Sequence, residues 1–110
     1  MVSYIPKKGD FIALRFDPQS GHEQMGTRPA LVVSNTAFNE QTGFAVVCPL
    51  TNTKRQNRFH VPVMANVLTG YIMADQLKSL DYRARQAKLI ETCSVELLEE
   101  VLNRIAPILF

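Results

Sequence analysis

The sequence predicts an α+β protein rich in β-structure: a curled antiparallel sheet or small barrel followed by one C-terminal helix. Three observations carry this. Short apolar β-forming runs recur at close spacing between Asp10 and Cys93, separated by turn-rich stretches. After Ser94 the hydrophobic period changes from that of a strand to that of a helix. A chain of 110 residues, 46% apolar and 20% charged, can bury one modest core. That gives a single domain over residues 1–110, with an active site that is shallow or shared between subunits.

The first strand is Asp10 to Phe16, "DFIALRF", with Ile12, Leu14 and Phe16 on one face and Phe11, Ala13 and Arg15 on the other. "DP" ends it. A long polar loop from Asp17 to Arg28 follows, containing Pro18, Gly21 and Gly26, and loops of this length in compact domains are usually functional or disordered. Pro29 disfavours the helical region for its predecessor, so the backbone aims Arg28 before its side chain meets anything. "ALVVS", "FAVVCPL", "FHVPV" and "GYIMADQLKSL" read as four further strands, set apart by the turn-rich "NEQTG", "TNTKRQNR" and "MANVLTG", and "AKLIETC" as a sixth strand in all. In the tail, Ser94 caps a helix with Glu96 at its positive end. Val95, Leu98, Val101, Leu102 and Ile105 fall on one stripe, and Pro107 stops or bends the helix. The simplest role of that stripe is packing against the sheet.

The N-terminus has no apolar leader segment and no apolar run reaches bilayer length, which predicts a cytoplasmic protein without a membrane partner. Cys48 and Cys93 lie in apolar segments without a CxxC partner and read as buried structural thiols. His22 and His60 are the only histidines, too few for a zinc site, so neither a metal nor another cofactor is expected. The net charge of +2 hides an asymmetry: residues 91–110 sum to −3 and residues 1–90 to +5. Lys54, Arg55 and Arg58 form one basic group; Lys78, Arg83, Arg85 and Lys88 form another. Such groups suit a polyanion, and they equally suit two solvated faces.

Three polar segments border strands: "GHEQMGTRP", "PLTNTKR" and "ADQLKS". Singly, each has a bland reading: a surface histidine, an arginine on a carbonyl, a threonine at a strand end. Together they supply an arginine fork for phosphate oxygens and a hydroxyl, a histidine and carboxylates for proton transfer. Without metal ligands such a set is poorly equipped to activate water on DNA. It can assist an RNA 2′-hydroxyl in attacking its own phosphate, since the substrate then carries the nucleophile.

The stretch "GDFIALRFDPQSGHEQMGTRPALVVS", continued by "CPLTNTKR" and "ADQLKSLDYRAR", resembles the MazF/PemK family of bacterial toxins over nearly the whole chain. The resemblance implies a small SH3-like antiparallel barrel with a C-terminal helix, the MazF/CcdB-like fold. It also implies a homodimeric, metal-independent endoribonuclease that cuts single-stranded RNA, mostly messenger RNA, leaving a 2′,3′-cyclic phosphate and a 5′-hydroxyl. The implied partners are RNA and a cognate MazE/PemI-like antitoxin, through which the complex can bind operator DNA. Carried over by motif, Arg28 stabilises the phosphorane and Thr51 supports it. His22, Glu23 and Asp75 are the implied acid–base residues. Gln24, Asn52, Gln76, Lys78 and Arg85 are implied RNA contacts, with Lys54 and Arg55 on its backbone. The sequence departs from PemK-like members at Met73, where they carry an arginine, so the motifs support Arg28 with Thr51 more directly than a mechanism using that second arginine. Two rivals remain: a CcdB-like toxin that binds DNA gyrase, which needs neither Arg28 nor Thr51, and a non-cleaving RNA-binding barrel, against which stands the scarcity of stacking aromatics in the loops.

Overall fold

Asp10 shows how the chain begins to organise itself. Its carboxylate is buried and gathers the Tyr4 hydroxyl, the Lys7 amide (3.0 Å) and the Thr92 hydroxyl (3.5 Å), which ties the N-terminal segment to the last strand. A buried carboxylate without such donors would be costly. The structure, a computed structural model, describes residues 4–16 and 26–110. In chain order the elements are β1 (Asp10–Phe16), β2 (Gly26–Val32), α1 (Thr36–Thr42), β3 (Phe44–Thr51), β4 (His60–Met64) and β5 (Thr69–Met73). A 3₁₀ turn (Ala74–Gln76), β6 (Lys78–Asp81), β7 (Lys88–Thr92) and α2 (Val95–Leu109) complete it.

All strand pairs are antiparallel, in the order β4-β5-β3-β2-β1-β7, with β6 also on β3. This bears out the expected β-rich α+β class: a half-barrel of curled sheet with a C-terminal helix. Among the described residues its strands number seven rather than six, because "GYIMADQLKSL" is not one strand. The first half of β3 pairs with β6, from Phe44↔Asp81 to Val47↔Lys78, and its end pairs with β5, Leu50↔Ile72 and Thr51↔Tyr71. Extending the β6 register to Leu50 would reach Asp75, whereas Leu50 faces Ile72. The 3₁₀ turn Ala74–Gln76 takes up this slip of three residues.

A second correction concerns "NEQTG", expected to be a turn. Asn39 to Thr42 of it belong to α1, and only Gly43, at φ 77°, turns the chain out of the helix. Seven residues with this composition have little helical propensity of their own. The helix is held instead by Asn39, fully buried, whose amide donates to the Pro6 carbonyl (2.9 Å) and accepts from the Ser34 hydroxyl. Its backbone carbonyl takes the Tyr82 hydroxyl at 2.7 Å.

The sheet is apolar on both faces, which is why Phe11 and Ile12, adjacent in sequence, are both completely buried. One face packs against α2: Phe11, Leu31, Cys48, Val61 and Ile72 meet Val101 and Ile105. The other gathers Ile12, Leu14, Ala30, Val32, Ala45, Val47 and Tyr82. Ser94 caps α2 as expected, its hydroxyl accepting the Leu97 amide at 3.1 Å. The expected stripe is narrower than read, since Val95 is 67% exposed. Pro107 does not end α2; it lies inside the last turn, and the Phe110 amide still reaches the Ala106 carbonyl at 2.8 Å. A proline this close to the end removes only the bond to the Asn103 carbonyl. Of the two expected buried thiols, Cys48 is buried and Cys93 only half-buried.

Candidate active site

β2 begins where β1 ends, and the register Leu14↔Arg28 sets the arginine beside the second apolar face. Alternation puts Arg28, Ala30 and Val32 on that face, and the register Ala30↔Pro49, Val32↔Val47 adds Val47 and Pro49 of β3. β6 contributes Lys78 and Leu80 opposite Val47 and Ala45. The outcome is an open cavity of about 410 Å³. Leu14, Ala30, Val47, Pro49 and Leu80 form its apolar floor; Arg15, Arg28, Gln76, Lys78 and Arg85 stand around it, with Met73 in the wall.

Among the described residues, four cations and no carboxylate line this cavity. The ion pairs His60–Asp75 and Arg104–Glu100 both lie away from it. Like charges gathered over an apolar floor make a concave region of positive potential, suited to an anion that bridges them. A guanidinium offers such an anion two parallel N–H donors.

Of the expected site residues, the structure brings Arg28, Gln76, Lys78 and Arg85 into this one cavity. Thr51 is not part of its wall. The β2–β3 ladder pairs only as far as Ala30↔Pro49, and the same register carried two residues further would set Thr51 across from Arg28. The Thr51 hydroxyl accepts the Thr53 amide at 3.2 Å. Gly70, at φ 136°, lies against it so closely that a Cβ there would stand 2.7 Å from the Thr51 carbonyl oxygen. Asn52, Lys54 and Arg55 are exposed on the loop beyond β3 and do not line the cavity. His22, Glu23 and Gln24 lie outside the described residues.

Asp75 follows a different arrangement. Its carboxylate accepts the Asn57 amide at 3.2 Å and lies 3.4 Å from Nε2 of the buried His60. It takes no part in the cavity wall. Cys48, in the core beneath α2, has its thiol pushed up to about 12, first by burial and then by the charge of Asp75. That carboxylate therefore sides with the helix-covered face of β3. Nδ1 of His60 is buried without a hydrogen-bond partner among the described residues.

Sequence reasoning missed Arg15, and it named Asp75 without its partners Asn57 and His60. Alternation sends Arg15 to the face opposite Leu14, yet both border the cavity. The β1–β7 pairing ends at Ala13↔Lys88, and beyond it the Arg15 amide bonds instead to the Arg85 carbonyl at 2.6 Å. The one available signal was a charged residue inside the apolar run "ALRF".

Among the described residues no helix is long and apolar enough to cross a membrane, and no group of three or more His, Cys, Asp and Glu could hold a metal ion. The profile of a family described as "PemK-like, MazF-like toxin of type II toxin-antitoxin system" matches residues 7–109. The chain is 39% identical over 106 residues, 96% of each chain, to the endoribonuclease toxin MazF of Escherichia coli K12. It is 41% identical over 105 residues, 90% of each, to the endoribonuclease toxin ChpB of the same organism. Its fold superposes on a toxin chain in the crystal structure of MazE–MazF from Deinococcus radiodurans with a TM-score of 0.90, at 38% identity over 97% of each chain.

Proposed function

From the premise that this chain belongs to the PemK-like, MazF-like toxin family of type II toxin–antitoxin systems, and is an endoribonuclease toxin, we propose how its cavity works. It cuts single-stranded RNA, messenger RNA in particular, at short sequences. The ribose 2′-oxygen attacks the adjacent phosphorus, a 2′-O–P bond forms, and the P–O5′ bond breaks. The products are a 2′,3′-cyclic phosphate and a 5′-hydroxyl, with one proton leaving the 2′-oxygen and one delivered to the 5′-oxygen.

The observation that carries this reading is the cationic cavity at the mouth of β2, with Arg28 on its rim. Its guanidinium bridges two oxygens of the crowded phosphorane, a charge-assisted contact that gains strength as negative charge builds up. Thr51 supports the same phosphate from the end of β3. Glu23 and His22 are the residues proposed to move the protons, in keeping with the motif that carries them. Asp75 is engaged by Asn57 and His60 away from the cavity, which favours a supporting role for it over proton transfer. Gln24, Asn52, Lys54, Arg55, Gln76, Lys78 and Arg85 hold the strand.

The reading includes a homodimer in the cytoplasm and a cognate antitoxin. The solved relative that pairs MazF with MazE supports the latter. An acidic antitoxin segment would meet the same cations as RNA does.

The test is cleavage of mixed-sequence single-stranded RNA in EDTA, with the matching DNA as control and the fragment ends sequenced. RNA alone should be cut, with 5′-hydroxyl ends and no cutting once every ribose is 2′-O-methylated. Fragments bearing 5′-phosphates, or activity abolished by EDTA, would sink the mechanism. Inhibition of gyrase with RNA left intact would point to the CcdB-like rival instead.

A further inference from the structure

We propose that Arg15, steadied by Gln86 and set beside Arg85, forms a second anion subsite in the cavity that takes the RNA phosphate next to the one held at Arg28. The proposal rests on the ribonuclease reading and adds to it a contact that the chain's recognised motifs do not contain.

Arg15 borders the same cavity as Arg28, yet its guanidinium is held from the other side, Nη1 donating to Oε1 of Gln86 at 2.8 Å. That acceptor is neutral, so it orients the arginine without cancelling its charge. No carboxylate among the described residues lies within ion-pair reach of Arg15 or Arg85. The Arg15 amide donates to the Arg85 carbonyl at 2.6 Å, and a guanidinium nitrogen of Arg85 lies 3.5 Å from the Arg15 carbonyl. Two cations are thereby fixed side by side at the open end of β1, where β7 no longer pairs.

Gln86 supplies an independent observation. Among the described residues it is the one non-glycine with positive φ, at 51°. An amide side chain in the left-handed region, where glycine is at home, is a strain that the surrounding structure has to hold in place. Here the strained residue is the one whose side chain grips Arg15. Turn formation alone would be served as well by glycine; orientation of a guanidinium requires the glutamine.

A subsite of this kind adds affinity without reading bases and without touching the reacting atoms. The test uses a mixed-sequence RNA, 2′-O-methylated throughout so that it cannot be cut, with binding followed by fluorescence anisotropy across a salt series. Arg15→Gln should flatten the slope of log affinity against log salt by about 0.7, the value for one single-strand phosphate contact. Gln86→Gly, which relieves the backbone, should raise or keep the melting temperature and still weaken binding severalfold, and Lys7→Gln should change neither. On cleavable RNA, Arg15→Gln should raise KM severalfold with kcat preserved. An unchanged salt slope in Arg15→Gln overturns the subsite. So does a loss confined to binding of a poly-glutamate peptide, which would mark a dock for an acidic protein. If the parent protein cuts no RNA but shows the slope difference, the cleavage reading fails and the subsite stands.

Discussion

The guanidinium of Arg28 stands at the mouth of a strand because Pro29 disfavours any helical continuation there, and the cavity beside it is lined by cations over an apolar floor. In the proposed reaction it meets charge that develops at the phosphorus, so its removal should lower kcat far more than it raises KM. Arg28→Ala is expected to reduce kcat about 100- to 1,000-fold, the usual range for losing one preorganised donor to a developing oxyanion. Arg28→Lys keeps the charge but not the fork and should recover only a minor part of it. Steady-state kinetics on a short RNA decide this, and equal kcat for Arg28→Ala and the parent would sink it. The two thiols differ in the same local way. Burial pushes Cys48 up from 9.0 to about 12 and raises the half-buried Cys93 as well. A thiol whose folded pKa lies above its unfolded value stabilises the fold below that unfolded value and loses its contribution as pH climbs towards the folded one. Stability should therefore fall between about pH 9 and 12, and Cys48→Ala should flatten that part of the curve in thermal melts. At pH 8, iodoacetamide should label Cys93 first and Cys48 only in denaturant. Arg28 and the buried Cys48 were readable in the sequence because each depends on its neighbours in the chain. Arg15 was not, since its place depends on where β7 stops pairing with β1.

At the scale of elements, what could be read followed the same division. The strands that alternate or run apolar were plain, and so was α2, whose capping serine and hydrophobic period are local signals. α1 was hidden because its cause is tertiary: a buried asparagine bonded to Pro6, Ser34 and Tyr82. The break between β5 and β6 was hidden too, because a three-residue slip belongs to the pairing with β3 and leaves no composition mark. Three substitutions probe this level. Ile105→Ala, under the helix, should cost about 2–4 kcal/mol, whereas Val95→Ala on the same helix, largely exposed, should stay within about 0.5 kcal/mol. Urea midpoints compare them, and similar losses would mean that the stripe read from sequence is the packed one after all. Gly70→Ala places a methyl 2.7 Å from the Thr51 carbonyl, in a backbone region an L-residue rarely adopts. It should destabilise by about 1–3 kcal/mol. Because the clash falls on Thr51, kcat should also drop at temperatures where the variant is fully folded. Unaltered activity there would separate Thr51 from the reaction.

At the scale of the molecule, the described carboxylates of α2 and the cations of the cavity belong to opposite faces of the sheet. α2, carrying Glu96, Glu99 and Glu100, covers one face, and the four-cation cavity opens on the other. On the proposed reading, a strand of RNA is drawn towards the cavity side, so orientation as well as affinity draws on long-range field. With the six cations assigned to the strand on phosphates, the four of the cavity together with Lys54 and Arg55, the slope of log affinity against log salt should be about −4.2, at 0.7 per single-strand contact. Raising salt from 50 to 200 mM should then weaken binding roughly 300-fold by the same relation. Neutralising the far side through Glu96→Gln with Glu99→Gln should leave that slope unaltered, because released counterions are counted at the phosphates touched and not by net charge. Anisotropy with ribose-methylated RNA measures both. A slope close to zero would mean that the cavity holds no strand, and a slope that tracks the helix charges would mean that diffuse attraction, rather than seated phosphates, brings RNA to this protein.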